Sequence, residues 1–346
     1  MFGSDNQAPA HPKVLDAIIE ANQGRCGSYG DDPWTARATE ALYTVFESDD
    51  LDMYCVGTGG SANGLALSVL CPPWGAVLAH PQAHILEDEG NGPEFFTSGA
   101  RMVSLGCASQ LVMPADLEQT ASRHAPTFVH GIQPRVLTLT NLSELGQVYR
   151  PDHLRSLQEV CARQGWSLHV DGARFANAVV AFGASAADLS WRSGVDALSF
   201  GLTKNGALAA EVLILFGAAR SAAAPYLRKR AGQLFSKHRY LSAQIVAMLE
   251  DGLWLDLAIR ANQTAHALAQ ILDGAGAKLA LPVEGNEVFA HLTELQVKAL
   301  CEAEIGFFPW GGLGPDTYRF VASWHNDAHC LEAVAKALQR NEVPNL

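Results

Sequence analysis

Two residues in this chain are of types that chemistry needs, and both sit where α/β proteins build their sites. Asp171 closes an apolar run in HVDGAR (His169 to Arg174), and Lys204 stands in SFGLTKNG, a Gly-, Thr- and Asn-containing turn after the next apolar run. A carboxylate and an amine just beyond the carboxyl ends of sheet strands suit pyridoxal 5'-phosphate (PLP), which takes a lysine for its Schiff base and a carboxylate to keep its ring nitrogen protonated. Alone, Asp171 would cap the following helix and Lys204 would be a solvated loop lysine. A third feature ties them to a ligand. MYCVGTGGSANGLAL runs from a strand through glycines into a helix, so the backbone N–H groups of Gly59, Gly60 and Ser61 would face a bound phosphate along the helix dipole.

Read as Gly57-x-Gly59-x-x-Ala62, the same turn fits the dinucleotide fingerprint of a Rossmann-type NAD enzyme. That fingerprint expects an acid at the end of the next strand. Here AVLAH ends in His80 and Pro81, and Glu87 and Asp88 come too late. Other polar residues complete a site of the first kind. His84 in PQAHILEDEG would stack on a planar ring and exchange protons near neutral pH, with Glu89 to orient it or to act itself. Arg174, one turn beyond Asp171, would reach the same ligand. Arg319 in YRFVASW, a cation on an apolar strand, suits bidentate capture of a carboxylate.

The elements that must position these groups follow from the apolar runs. Seven short β-rich runs lie at 53–56, 76–79, 101–105, 135–140, 166–170, 197–200 and 212–216, most of them separated by helical or polar stretches. Apolar runs of that kind predict a largely parallel sheet covered by helices on both faces. Helical spacing at Val14, Leu15, Ile18 and Ile19 and over 36–46 precedes the sheet, after an irregular N-terminal arm; 222–272 reads as helical, with Gly252 as the weak point. KLALPV, EVFAHL, a helix over 294–302, YRFVAS and a helix from about Asn326 read as a small C-terminal α+β domain. The expected division is a large domain over 1–240 and a small one over 241–346.

Composition narrows the partners. Thirty-six acidic against 24 basic residues give a net charge of −12, which argues against nucleic acid or an anionic membrane surface as a ligand. Charged residues are 17% and hydrophobic ones 48% of the chain, a ratio that leaves apolar surface for burial between subunits. The seven cysteines are scattered without a C-x-x-C pair, so neither a disulfide framework nor a zinc site is implied, and a reduced cytoplasm is the expected home. No basic-plus-apolar leader or membrane-length apolar run occurs, so a soluble, unexported protein is expected.

Taken in order, SDN (4–6), SYGDD (28–32), TGGSAN (58–63), the QAH histidine, HVDGAR, TKNG and the YRF arginine run through nearly the whole chain. This series resembles the low-specificity L-threonine aldolases and the related L-allo-threonine and phenylserine aldolases of the β-eliminating lyase group. The resemblance implies a fold-type-I PLP architecture and cleavage of L-β-hydroxy-α-amino acids to glycine and an aldehyde. It also implies roles: Lys204 carries the cofactor, Asp171 holds the pyridine nitrogen, and Arg174 contacts the ring oxygen or the substrate carboxylate. His84 stacks on the ring, Gly59, Gly60 and Ser61 hold the phosphate, and Ser4 and Arg319 bind the substrate carboxylate. His130 in FVHGIQPR lies near the substrate side chain. Tyr29 and Lys229 reach a neighbouring subunit's site, so a homodimer or homotetramer is implied. The chain departs from many members at Gly60, where they have threonine, at Leu142-Ser143-Glu144, where they have N-T-H, and at Ser236, where some have a phosphate-binding arginine, with Lys237 adjacent as a substitute. Another fold-type-I enzyme, a C–S lyase or an aminotransferase in which Lys204 shuttles the Cα proton, remains open, as does a non-catalytic binding subunit.

Overall fold

Seven strands form one sheet in the order β1-β7-β6-β5-β4-β2-β3, and each of the seven expected runs supplies one of them. They are β1 (Leu51–Val56), β2 (Gly75–Ala79), β3 (Arg101–Ser104), β4 (Gln133–Thr140), β5 (Ser167–Gly172), β6 (Ala197–Gly201) and β7 (Glu211–Phe216). The computed structural model describes residues 1–124 and 128–339. Pairing is parallel from β3 through β2, β4 and β5 to β6, whereas β7 runs antiparallel to both of its neighbours, β6 and β1. Strands β2, β6 and β7 are buried at every residue, as doubly covered strands should be.

The pairing register collects chemistry at one edge. Val56 and Gly201 both lie opposite Glu211, so the end of β1, the end of β6 and the start of β7 coincide. Thr140 at the end of β4 lies opposite Asp171 on β5. The backbone passes closely here: a Cβ on Gly172 would lie 2.8 Å from the Ser199 carbonyl oxygen, and one on Gly201 would lie 2.7 Å from the Ala173 Cα. Glycine in HVDGAR therefore lets two strand ends lie side by side next to Asp171.

Helices α1 (Pro12–Ala21) and α2 (Pro33–Phe46) precede the sheet, and α3 (Gly59–Leu70) follows β1 directly. The main core gathers apolar residues of the sheet such as Leu137, Leu168, Leu198 and Val212 with Phe46, Phe175, Phe200 and Trp254; the Phe46 and Phe200 rings meet edge to face at 5.6 Å. Residues 222–272 divide into helices Ala224–Arg230, Arg239–Leu249 and Leu253–Gly274, and Gly252, at φ +69°, separates the last two. Leu241, Ile245, Met248 and Leu257 belong to the main core, while Ala265, Leu268 and Leu272 enter a second one.

That second core backs a four-stranded antiparallel sheet, β10-β11-β9-β8, formed by β8 (Lys278–Leu279), β9 (Glu287–His291), β10 (Phe308–Pro309) and β11 (Thr317–Val321). KLALPV forms only a two-residue strand, beyond which Ala280 N–H still donates to the Phe289 carbonyl at 2.8 Å. The last helix, Ala328–Gln339, closes the second core, and residues 340–346 of the expected small domain lie outside the described ones. The N-terminal arm links the two cores: Phe2 is buried in the second and its carbonyl accepts from Val321 N–H at 2.8 Å, while His11 N–H donates to the Gly206 carbonyl at 2.8 Å. Ser4 and Asp5 are thereby carried across the edge of the large sheet.

Candidate active site

A cavity of about 810 Å³ opens at that edge, and Gly59, Gly60, His84, Glu89, Asp171, Arg174, Lys204, Ser4 and Arg319 all line it. The first turn of α3 forms one wall. Thr58 caps the helix, its hydroxyl oxygen accepting from Ser61 N–H at 3.2 Å and its O–H donating to Ser61 Oγ at 2.8 Å. The Ser61 N–H expected to face a phosphate is therefore engaged by the cap, and Ser61 is buried rather than part of the lining. Gly59 is open: a Cβ there would meet nothing within 4 Å.

Beside this turn a continuous chain of hydrogen bonds starts at Asp171, which is 5% exposed. One carboxylate oxygen accepts from Ala173 N–H at 2.9 Å and the other from the Asn63 amide at 2.8 Å. The same amide nitrogen donates to Glu89 at 2.9 Å, and that Glu89 oxygen lies 3.0 Å from His84 Nδ1. The hydrogen bond that His84 donates to Glu89 raises the His84 pKa, against the effect of burial, and the negative charges of Asp171 and Glu89 add to the rise. With Nδ1 bonded to Glu89, the other ring nitrogen is left for a ligand. Glu144 holds the histidine from its backbone side: its carboxylate accepts from His84 N–H at 2.9 Å and from the Thr140 hydroxyl at 2.6 Å, and burial pushes its pKa up. Glu211 accepts from Leu202 N–H at 2.9 Å beside the Lys204 turn, and burial lifts its pKa to about 7.

The far end of the cavity is ionic. Arg174 was expected on the ring oxygen or a substrate carboxylate, but the structure gives it a bidentate partner, Asp5, at 2.7 and 3.0 Å. Arg319, from β11, lies 4.7 Å over the Trp310 ring, and its Nη1 is 3.8 Å from Glu287. Ser4 faces the cavity with its hydroxyl oxygen accepting from Asn6 N–H at 3.2 Å.

Three expected residues lie elsewhere. His130 is exposed in the loop before β4, tilted over Phe128 with ring centroids 5.4 Å apart, and does not line the cavity. Tyr29 and Lys229 are also outside it; both are exposed, and Lys229 Nζ sits 5.4 Å from the Tyr29 ring centroid. Conversely, Asn63, Asp5, Glu211 and Glu287 take partners at the site that no local pattern in the sequence announces. The position of Asn63, though not its partner, had a readable signal, since it follows Gly59 by one helical turn and so shares its face.

Comparison with known proteins gives consistent matches. The family model described as beta-eliminating lyase matches residues 2–295. The low specificity L-threonine aldolase of Pseudomonas aeruginosa is 38% identical over 339 residues, 98% of this chain and 96% of that protein. The protein of the same description from Saccharomyces cerevisiae is 25% identical, over 84% of this chain and 73% of its own length. Among solved structures, a Leishmania major threonine aldolase superposes with a TM-score of 0.91 at 27% identity, covering 98% of both chains.

Proposed function

Since the chain belongs to the beta-eliminating lyase family, we propose that it is a PLP-dependent aldolase of the L-threonine type. It splits L-β-hydroxy-α-amino acids, including L-threonine, L-allo-threonine and L-phenylserine, into glycine and an aldehyde. The fold is that of the fold-type-I enzymes. The observation that carries the reading is that Lys204, Asp171 and His84 line one cavity, the last two joined through Asn63 and Glu89.

The residues present suit the cofactor. The open cradle at Gly59 lies at the N-terminus of a twelve-residue helix, where an anion is favoured, and Asp171 offers a buried carboxylate held by two donors. Lys204 would carry PLP covalently, Gly59 and Gly60 would hold its phosphate, and Asp171 would keep a proton on its ring nitrogen. Bound there, PLP supplies a sink for the electron pair left on Cα when the Cα–Cβ bond breaks.

The protein's own groups do the rest. Arg319 pairs with the substrate carboxylate, helped by Ser4, while Asp5 keeps Arg174 in place behind it. His84, its Nδ1 fixed by Glu89, takes the β-hydroxyl proton at its free ring nitrogen as the bond breaks. Discrimination between hydroxyl epimers is low, because His84 is 44% exposed in its side chain and reaches the hydroxyl from a roomy cavity. Incubation with a panel of β-hydroxy amino acids, assaying glycine and aldehyde together, tests this: equimolar release is expected, and keto-acid or sulfide release would replace the aldolase by the aminotransferase or C–S lyase.

The active form is a cytoplasmic homo-oligomer with sites at the subunit boundary. Exposed Tyr29 and Lys229, stacked on each other outside their own cavity, support this, as do exposed Phe95, Phe128 and Tyr226. Light scattering at assay concentration should give at least a dimer; an active monomer would refute it.

A further inference from the structure

Glu287 takes no part in the chemistry above, and its surroundings do not account for a buried charge. It opens β9 at 2% exposure, and among the described residues neither of its carboxylate oxygens has a hydrogen-bond donor. Its nearest cations, Arg174 Nη1 and Arg319 Nη1, stand at 3.7 and 3.8 Å, beyond hydrogen-bonding reach. Arg174 already has a full partner in Asp5, whereas Arg319 has a buried Nε with no acceptor.

Setting aside the Asp5–Arg174 pair and Lys204, whose amine is committed to the cofactor, one carboxylate and one guanidinium remain, and their charges balance. A ligand carboxylate arriving at Arg319 from the cavity makes two anions for one cation, and of the two Glu287 is the one buried in the protein. Keeping a buried carboxylate ionised without a partner costs more than protonating it. The ligand's carboxylate can accept directly from Arg319; Glu287 has no donor at all, so Glu287 is the group that yields.

We propose that Glu287 makes substrate capture proton-linked: one proton passes from solvent to a Glu287 oxygen as the ligand's carboxylate pairs with Arg319, and returns to solvent when it leaves. Glu287 is then a positioning residue that sets the pH range of binding without touching the substrate. The inference rests on the reading of Arg319 as the carboxylate site of an amino-acid-cleaving enzyme.

The groups facing Glu287 are Asp5 from the N-terminal arm, Arg174 from the turn after β5, Lys204 from the turn after β6 and Arg319 from β11. The loop over 143–147 packs on the Glu287 Cβ through Gly146, and the acid of that loop, Glu144, is bonded to His84 and Thr140 instead. Burial raises the Glu287 pKa, the three cations pull it down, and Asp5 adds to the rise; the net direction is up. Below the raised value of the free enzyme Glu287 already carries its proton, and binding is at its tightest. Above that value affinity falls by up to about tenfold per pH unit, until the still higher value of the bound state is passed.

The test is calorimetry of glycine binding to the PLP-loaded enzyme between about pH 6 and 9, in two buffers of different ionisation enthalpy, which counts protons taken up per ligand. Protons exchanged by the glycine amine are common to all variants and cancel. Wild type should take up as much as one proton more than Glu287→Gln, and the variant should bind glycine about tenfold tighter one pH unit above the onset of the wild-type loss. Glu287→Met, which removes the acid without leaving an amide, should behave in the same way and carries the measurement if the amide variant does not fold. Equal proton uptake and equal pH slopes in wild type and variant would overturn this inference alone. Failure of wild type to bind glycine or L-threonine would overturn the aldolase reading, and this inference with it.

Discussion

The two ends of the cavity are held in different ways. Around Asp171 the chain through Asn63 and Glu89 to His84 is closed by contacts of 2.8 to 3.0 Å, each at hydrogen-bonding distance. Around Arg319 the contacts to Glu287 are at 3.8 Å, and Arg319 Nε and both Glu287 oxygens lack partners. A buried polar group left unpaired is costly, so the second end gains from a ligand what the first already has from the protein. The difference teaches that rigid orientation belongs to the bond-breaking end and binding energy to the carboxylate end. Substitutions at the first should therefore act on kcat, and those at the second on KM.

The strongest test removes the residue between them. Lys204→Ala should abolish both turnover and the visible absorption band that borohydride otherwise fixes to Lys204, because among the described residues no other lysine lines the cavity. Reduced cofactor found on Lys229 or Lys237 would break the comparison at its root. Next, Asp171→Asn should retain PLP yet lower kcat by about 10²- to 10³-fold, the scale of losing one preorganised electrostatic group. An amide cannot hold a proton on the ring nitrogen. Near-normal turnover would reduce Asp171 to a helix cap.

At the other end, Arg319→Leu should raise KM by about 30-fold or more, the cost of truncating one partner of a buried charge pair, while kcat changes by only a few-fold. A loss in kcat with KM unchanged would mean that the carboxylate is held elsewhere, for instance by Arg174 after release from Asp5.

The same contrast explains what the sequence revealed. The strands and the motif residues of the first end were legible because each is announced locally: an apolar run ends, and Asp171 or Lys204 follows it. Partnerships were not legible, since they span the chain. Asn63 meets Asp171 across 108 residues, and Asp5 meets Arg174 across 169. Arg174 looked free for a ligand because nothing near it in sequence foretells Asp5, which the arm delivers only when Phe2 is buried in the second core. Glu287 had no signal beyond an acid at the start of a strand. His130 is a histidine in a motif that resembles the family's, and neither fact carries information on where an exposed loop places it.

The smallest effect sharpens the first end. Glu89 raises the His84 pKa, chiefly through their hydrogen bond, while burial opposes it. A base must be neutral to accept the hydroxyl proton, so the acid limb of kcat/KM in wild type should lie above the ordinary histidine value. Glu89→Gln removes the charge but keeps an oxygen that can accept, and the limb should move to lower pH by up to about one unit. Stability carries the same sign. A histidine whose pKa is raised on folding stabilises fully below its unfolded pKa, and that contribution fades as pH rises through the folded value. The Tm advantage of wild type over the variant should thus be greatest in acid and lost towards alkaline pH, and it should be small because the His84 side chain is 44% exposed. If the Tm difference follows this course while the acid limb stays in place, the pair is intact but His84 is not the base. The proton then goes to another group, and Glu144, half-buried in the cavity wall and bonded to His84 N–H, is the first to examine.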